Sequence, residues 1–392
     1  MFISKRFDYY DLSGDINPIA KLYFSYKEKG QLIYDLTLSN PTKASIRYPK
    51  YEILQALNDA NVLLYDPNPK GLDIARKSIC EYYNNHGYSI YPEDLFLTSG
   101  TSEAYSYLLK LLCNPNDEVL IPAPSYPLLD FIASLETVNV VPYYLSRNDN
   151  SKWCISQKSL EESITTKTKA ILFVQPNNPT GNILSTDEID ILISVAEKYC
   201  LPLIIDEVFR DYTFSSKQPV ILSSEKIPIF TLNGISKILG LPQLKLSWIL
   251  VSAPENMKNE IYEALEIIAD TFLSVNTPVQ TALPKLFEFL NPIQSEIKNR
   301  ITNNLRYATN SFATHPILSL SVPDGGWYLV VEVKNIDVND EELVLNLLKY
   351  SGVYIHPGSM FRFPHGKYIV ISLLPQEEVF QEGVNRICQY FV

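Results

Sequence analysis

Short apolar runs alternate along this chain with longer stretches whose apolar residues recur at helical intervals. Residues 95–97, 170–174, 203–206, 230–232 and 248–251 are apolar runs of strand length. Between the second and third, Ser185-Thr186-Asp187-Glu188 has capping-box spacing, and Ile189, Leu192, Ile193 and Ala196 follow at helical intervals. That pattern is one strand–helix–strand crossover, so residues from about 92 to 252 predict a mostly parallel sheet covered by helices. Residues 281–307 predict a single long helix leaving that unit. The runs 327–333, 341–350, 368–373 and 377–391 then predict a smaller α/β unit, with residues 1–45 packed against it. The expected division is a large domain over 46–284 and a small domain made of 1–45 with 285–392. No internal repeat or low-complexity tract interrupts it.

Composition narrows the function classes. With 46% apolar and 20% charged residues, the 392-residue chain can bury a large core. A net charge of −11 with no basic block excludes a nucleic-acid partner. The five cysteines (Cys80, Cys113, Cys154, Cys200, Cys388) are scattered and unpaired in spacing, which fits a reduced compartment. Met1 to Asp8 carries no signal-type apolar region, and no apolar run reaches membrane-spanning length, so cytoplasmic residence without a membrane partner is expected. The four histidines (His86, His315, His356, His365) lack metal-ligand spacing, and there is no Gly-x-Ser-x-Gly elbow, so neither a metal site nor serine-hydrolase chemistry is expected.

Four positions carry chemistry. Gly100-Thr101-Ser102 follows the run 95–97 and precedes Ala104, Tyr107, Leu108, Leu111 and Leu112 at helix spacing, which sets a helix N-terminus where a phosphate could sit. The same residues also suit a plain hydroxyl N-cap. Asp206 closes an apolar run, where a carboxylate either meets a cation or caps a helix. Asn178-Pro179-Thr180-Gly181 is a good turn sequence. Lys237 lies in the run 233–245, and a Ser-Lys pair by itself is common on solvated surfaces.

Taken in order, these stretches resemble the pyridoxal-phosphate aminotransferases of class I/II, in the fold type I superfamily, over nearly the whole chain. The resemblance implies a large domain with a seven-stranded-type, mostly parallel sheet, a smaller α/β domain, and pyridoxal 5'-phosphate as cofactor. It implies that Lys237 forms the internal aldimine and shuttles the proton, that Asp206 faces the ring nitrogen, and that Asn178 donates to the phenolic oxygen. Tyr126 would stack on the ring. Gly100, Thr101, Ser102, Ser236 and Lys245 would hold the phosphate. Tyr65 would reach the phosphate of a neighbouring subunit, making the active site of a homodimer a shared one. Ser39 and Asn40 fall in the substrate loop. The partner so implied is a small-molecule amine or amino acid that gives its amino group to a keto or aldehyde acceptor. A lyase or decarboxylase using the same cofactor, or a non-catalytic protein that binds it, are the alternatives.

The chain also departs from that family. Phe209 stands where a tyrosine usually donates to the phenolic oxygen, Gly234 where a serine or threonine usually binds phosphate, and Lys245 where arginine is usual. In the run 368–372, Val370 occupies the place of the arginine that pairs with the substrate's α-carboxylate. Either another group, such as Arg362 or Lys367, supplies that charge, or the substrate lacks a free α-carboxylate.

Overall fold

The structure, a computed structural model, describes residues 3–7, 17–148 and 151–391. Residues 8–16, part of the segment expected in the small domain, lie outside the described residues. Fourteen strands occur among those described: β1 Tyr34–Asp35, β2 Leu95–Thr98, β3 Glu118–Ala123, β4 Asn139–Arg147, β5 Trp153–Ile155, β6 Thr168–Val174, β7 Leu203–Asp206, β8 Ile229–Gly234, β9 Ser247–Ser252, β10 Leu318–Ser321, β11 Tyr328–Val333, β12 Val353–Tyr354, β13 His356–Pro357 and β14 Tyr368–Ser372.

The large sheet has eight strands in the order β2-β9-β8-β7-β6-β3-β4-β5. Its interior is parallel from β8 through β4. The expected seven strands become eight because β5 adds an antiparallel edge to β4. Strand β9 runs against both β2 and β8, so β2 points the same way as β8. Hence β2, β3, β6, β7 and β8 all end on one edge of the sheet.

The interior strands read as unbroken apolar runs because both of their faces are buried. Ile171, Phe173, Leu203 and Ile205 enter one core, and Leu172, Ile204, Phe230 and Leu232 enter the other. The helix Thr186–Lys198 starts with the expected capping box: Glu188 N–H donates to Ser185 Oγ at 3.3 Å, and Ser185 N–H donates to Glu188 Oε2 at 2.9 Å.

The single long helix expected over 281–307 is instead two, Thr277–Phe287 and Leu290–Phe312. Pro292 explains the break. Its ring would collide with the carbonyl of Glu288 in a continuous helix, whereas the first turn of a new helix accommodates it.

The second layer is a four-stranded sheet, β10-β11-β14-β13, with antiparallel pairing throughout. The parallel pair β1 and β12 ties residues near the start of the chain to this part of the molecule. The loop before β11 then returns to the large sheet. Asp324 N–H and Gly325 N–H both donate to Gly181 O at 2.9 Å, and Gly326 N–H donates to Tyr212 O at 2.7 Å. Gly181 must be glycine here: its φ is +69°, and a Cβ would lie 2.4 Å from Gly325 O.

Candidate active site

Five of the residues expected to touch a cofactor leave the sheet at its common C-terminal edge. Gly100 follows β2, Tyr126 follows β3, Asn178 follows β6, Asp206 ends β7 and Lys237 follows β8. In open α/β sheets this edge is where ligands bind, because the loops and helix N-termini converge there.

Asp206 is buried at the centre. Burial raises its carboxyl above the ordinary value, against the hydrogen bond from Tyr105, that from Val208 N–H, and the charge of Lys237. Tyr105 Oη donates to Oδ2 at 2.6 Å, and Val208 N–H donates to Oδ1 at 3.0 Å.

Lys237 lies in the short helix Ile235–Ile238, and its backbone carbonyl accepts from Tyr212 Oη at 2.7 Å. Its Nζ stands 5.3 Å from the centre of the Phe209 ring and 4.9 Å from that of Trp327. Those two rings meet edge to face at 5.4 Å. Burial pushes the amine down to about 8, with Asp206 pulling it back up. A lysine so placed is a competent nucleophile and proton carrier near neutral pH.

Asn178 lies in a loop pinned by its neighbours. Asn177 Nδ2 donates to Pro124 O at 3.1 Å and to Thr180 Oγ1 at 2.7 Å, while Gln175 N–H donates to Asp206 O at 2.9 Å. Asn178 Oδ1 is itself buried and has no partner. That oxygen is an acceptor, so a bound group would satisfy it only by offering a donor.

At the helix Thr101–Leu112, Gly100 is extended, and a Cβ added there would meet nothing within 4 Å. That open space in front of a helix N-terminus suits an anion. Thr101 is half-buried and Ser102 exposed on the first turn. Glu103 occupies part of the same end, accepting from Ser99 N–H at 2.7 Å. Ser236 is half-buried beside Lys237. Lys245 is exposed, in the left-handed region at φ 57°, and makes no ion pair among the described residues. The open helix end, the desolvated Asp206 and the lowered Lys237 amine together fit a phosphorylated, cationic aromatic aldehyde.

The remaining expected residues fall in different settings. Tyr126 is 44% exposed, and Ser125 beside it donates its N–H to Phe361 O at 2.9 Å. Ser39 faces the phenol of Tyr328. Asn40 Oδ1 caps a short turn, accepting from Thr42 N–H at 3.0 Å. Tyr65 is 80% exposed. Arg362, a candidate for the substrate's charge, is held by Asp130 at 2.5 Å.

Three residues at the site carry no functional expectation from the sequence: Tyr105, Tyr212 and Trp327, the last only the start of the run 327–333. Asp324-Gly325-Gly326 is a turn signal directly before a strand and marked Trp327 as the first residue of a returning element. Tyr105 and Tyr212 carried no comparable local signal.

Comparison with known proteins agrees with this geometry. The Aminotransferase class I and II family matches residues 34–387. The chain is 29% identical to a tyrosine aminotransferase of Dictyostelium discoideum over 380 residues, covering 90% of each chain. It is 25% identical to a glutamate-pyruvate aminotransferase of Haemophilus influenzae, covering 97% of this chain and 95% of that one. Among solved structures, an alanine aminotransferase from Pyrococcus furiosus superposes with a TM-score of 0.88 at 25% identity, covering 99% of each chain. The chain therefore belongs to the class I and II aminotransferases, enzymes of the pyridoxal-phosphate fold type I that transfer an amino group.

Proposed function

We propose that Lys237 is the residue of this aminotransferase that holds pyridoxal 5'-phosphate and moves the proton on the amine-bearing carbon of the substrate. The observation that carries this is the position of its Nζ, walled by Phe209 and Trp327 and sharing a strand edge with Asp206. Pyridoxal phosphate, when bound, supplies an electron sink for the pair of electrons left on that carbon.

The protein's own groups do the rest. Asp206, whose charged form Tyr105 and Val208 N–H favour against the effect of burial, would hold the ring nitrogen in its protonated form. Asn178 would donate its amide to the phenolic oxygen, and Tyr126 would cover one ring face. The amides at the start of the helix Thr101–Leu112, with Gly100, Thr101, Ser102, Ser236 and Lys245, would hold the phosphate. The aromatic walls exclude water around Nζ, which keeps the amine's basicity low enough to accept and return a proton near neutral pH. Ser39 and Asn40 would border the substrate, a small amine or amino acid.

The same reading includes a homodimer in the cytoplasm and a boundary between domains near residues 45 and 285. Tyr51, Leu54, Leu63, Leu64 and Tyr65 form a run of exposed large apolar side chains, with Leu63 87% exposed. Such a patch supports burial against a second subunit. Tyr65 belongs to it, which supports a role for this residue in the neighbouring site. All five cysteines are free, as a reducing compartment favours, and no helix among the described residues is long and apolar enough to cross a membrane. The β1 and β12 pairing supports joining the first residues to the small domain.

Borohydride treatment of the reconstituted protein followed by peptide mass analysis tests the assignment. A reduced cofactor adduct on Lys237 is expected, and an adduct elsewhere or none would sink it. A single amine substrate should also leave the aminated cofactor on the protein, an outcome that elimination or decarboxylation would not produce.

A further inference from the structure

The face of the small sheet that carries Tyr328, the residue meeting Ser39 and Tyr126, is electrically neutral. Cross-strand pairs define it: Tyr328 opposes Ser372, Val330 opposes Val370, and His356 opposes Val370. Directly opposed residues share a face, as do alternate residues along a strand, so these five side chains stand on one side of the small sheet. Its orientation is set by Tyr328, whose phenol faces both Ser39 and Tyr126. Ser372 Oγ donates to Leu38 O at 2.7 Å, which brings the segment carrying Ser39 onto the same end of this face. Val330 and Val370 are buried.

Among the described residues, three cations near this face are committed elsewhere, and Arg300 donates to the carbonyls of Ala44 and Leu374. Arg362 is bound to Asp130 on the helix Leu128–Leu135 at 2.5 Å. The Lys367 ammonium donates to the carbonyl of Ile336. Arg147, toward the Tyr368 end of the face, pairs with Glu332 at 2.7 Å. His356 is pushed down to about 4 by burial, with Asp35 raising it only in part, so it is uncharged at neutral pH. Lys43 stands exposed beyond Asn40, at the end of its turn. A carboxylate brought against Tyr328, Val330, Val370 and neutral His356 would lose its water without gaining a cation, an unfavourable exchange.

Building on the aminotransferase reading, we infer that the preferred amino donor carries no carboxylate on its amine-bearing carbon and presents a neutral group to the face formed by Tyr328, Val330 and Val370. The donor class is therefore a primary amine, an amino alcohol or an amino-acid amide, rather than a free α-amino acid.

Matched pairs that differ only in the carboxylate test this on the reconstituted wild-type enzyme: L-alanine against L-alaninamide, and L-tyrosine against tyramine. The readout is the rate at which the aldehyde absorbance of the bound cofactor disappears, with mass analysis of the cofactor produced. The carboxylate-free member of each pair should react faster by roughly tenfold or more, the factor a modest desolvation penalty imposes. Equal or faster conversion of the amino acids overturns the inference while leaving the aminotransferase reading intact, and would direct attention to Lys43. Failure of both members of every pair, with the cofactor bound, also overturns it. A protein that takes up no cofactor overturns the underlying reading instead. As a second arm, Val370→Arg, checked for folding by near-ultraviolet circular dichroism, should move the preference toward the amino acid by about tenfold. A folded variant with unchanged preference counts against the inference, and if the variant does not fold, the wild-type pairs decide alone.

Discussion

Tyr105 Oη donates to Asp206 Oδ2 at 2.6 Å, joining the helix that would receive the phosphate to the carboxylate that would receive the ring nitrogen. The two ends of a bound cofactor would thus be set by one connection across the sheet edge.

Removing that hydroxyl with Tyr105→Phe leaves the desolvated carboxylate with one donor fewer. A hydrogen bond to a charged group contributes about 1.5–3 kcal/mol, so cofactor affinity should fall by roughly ten- to a hundredfold. The sign with pH follows from the same bond. Tyr105 lowers the Asp206 carboxyl against the rise caused by burial. Without it the carboxyl protonates at higher pH, and cofactor binding should decline at a higher pH in the variant than in the wild type. Equilibrium dialysis of the cofactor across pH measures this, and coincident profiles would refute it.

Lys237→Ala should abolish both turnover and the borohydride-fixed adduct while leaving the fold intact. The shortened side chain removes the amine that stands over both Phe209 and Trp327. Retained turnover in this variant would transfer the role to another residue.

Loading of the cofactor onto the apoprotein should accelerate as pH rises through about 8, because only the neutral amine attacks an aldehyde. An ordinary lysine at 10.5 is neutral in fewer than about one molecule in a thousand at pH 7, whereas this one is neutral in roughly one in ten. Stopped-flow absorbance of the loading reaction gives the midpoint. A rate still climbing without inflection beyond pH 10 would contradict the burial argument.

Phe209→Tyr should lower the midpoint of the pH titration of the bound cofactor's absorbance. The new hydroxyl would place a donor where the phenolic oxygen is expected, stabilising its ionised form. An unchanged midpoint would show that this ring does not reach the cofactor.

Gly234→Ser should destabilise the protein by about 1–3 kcal/mol, the usual effect of overpacking. A Cβ at 234 would lie 2.1 Å from Ser247 Oγ, which is buried and has no hydrogen-bond partner. Combining it with Ser247→Gly should recover most of the loss, as thermal denaturation of the single and double variants would report. Additive destabilisation would mean that the two positions do not compete for one space.

What the sequence determined by itself was local. Unbroken apolar runs announced β6 and β7, the Ser185–Glu188 box announced the start of its helix, and the ordered placement of Gly100, Asn178, Asp206 and Lys237 announced the family. These signals lie in residues a few positions apart, whose backbone preferences act before the chain is packed. The break near Pro292 is written in the same local code, although the apolar period that runs across it predicts one helix.

Tertiary structure alone decided the rest. Tyr105 meets Asp206 across 101 positions of sequence, Arg362 meets Asp130 across 232, and Trp327 meets Lys237 only because the loop at Asp324 to Gly326 docks on Gly181 and Tyr212. Such contacts depend on strand order, register and the depth at which a side chain is desolvated, quantities that no window of neighbouring residues contains.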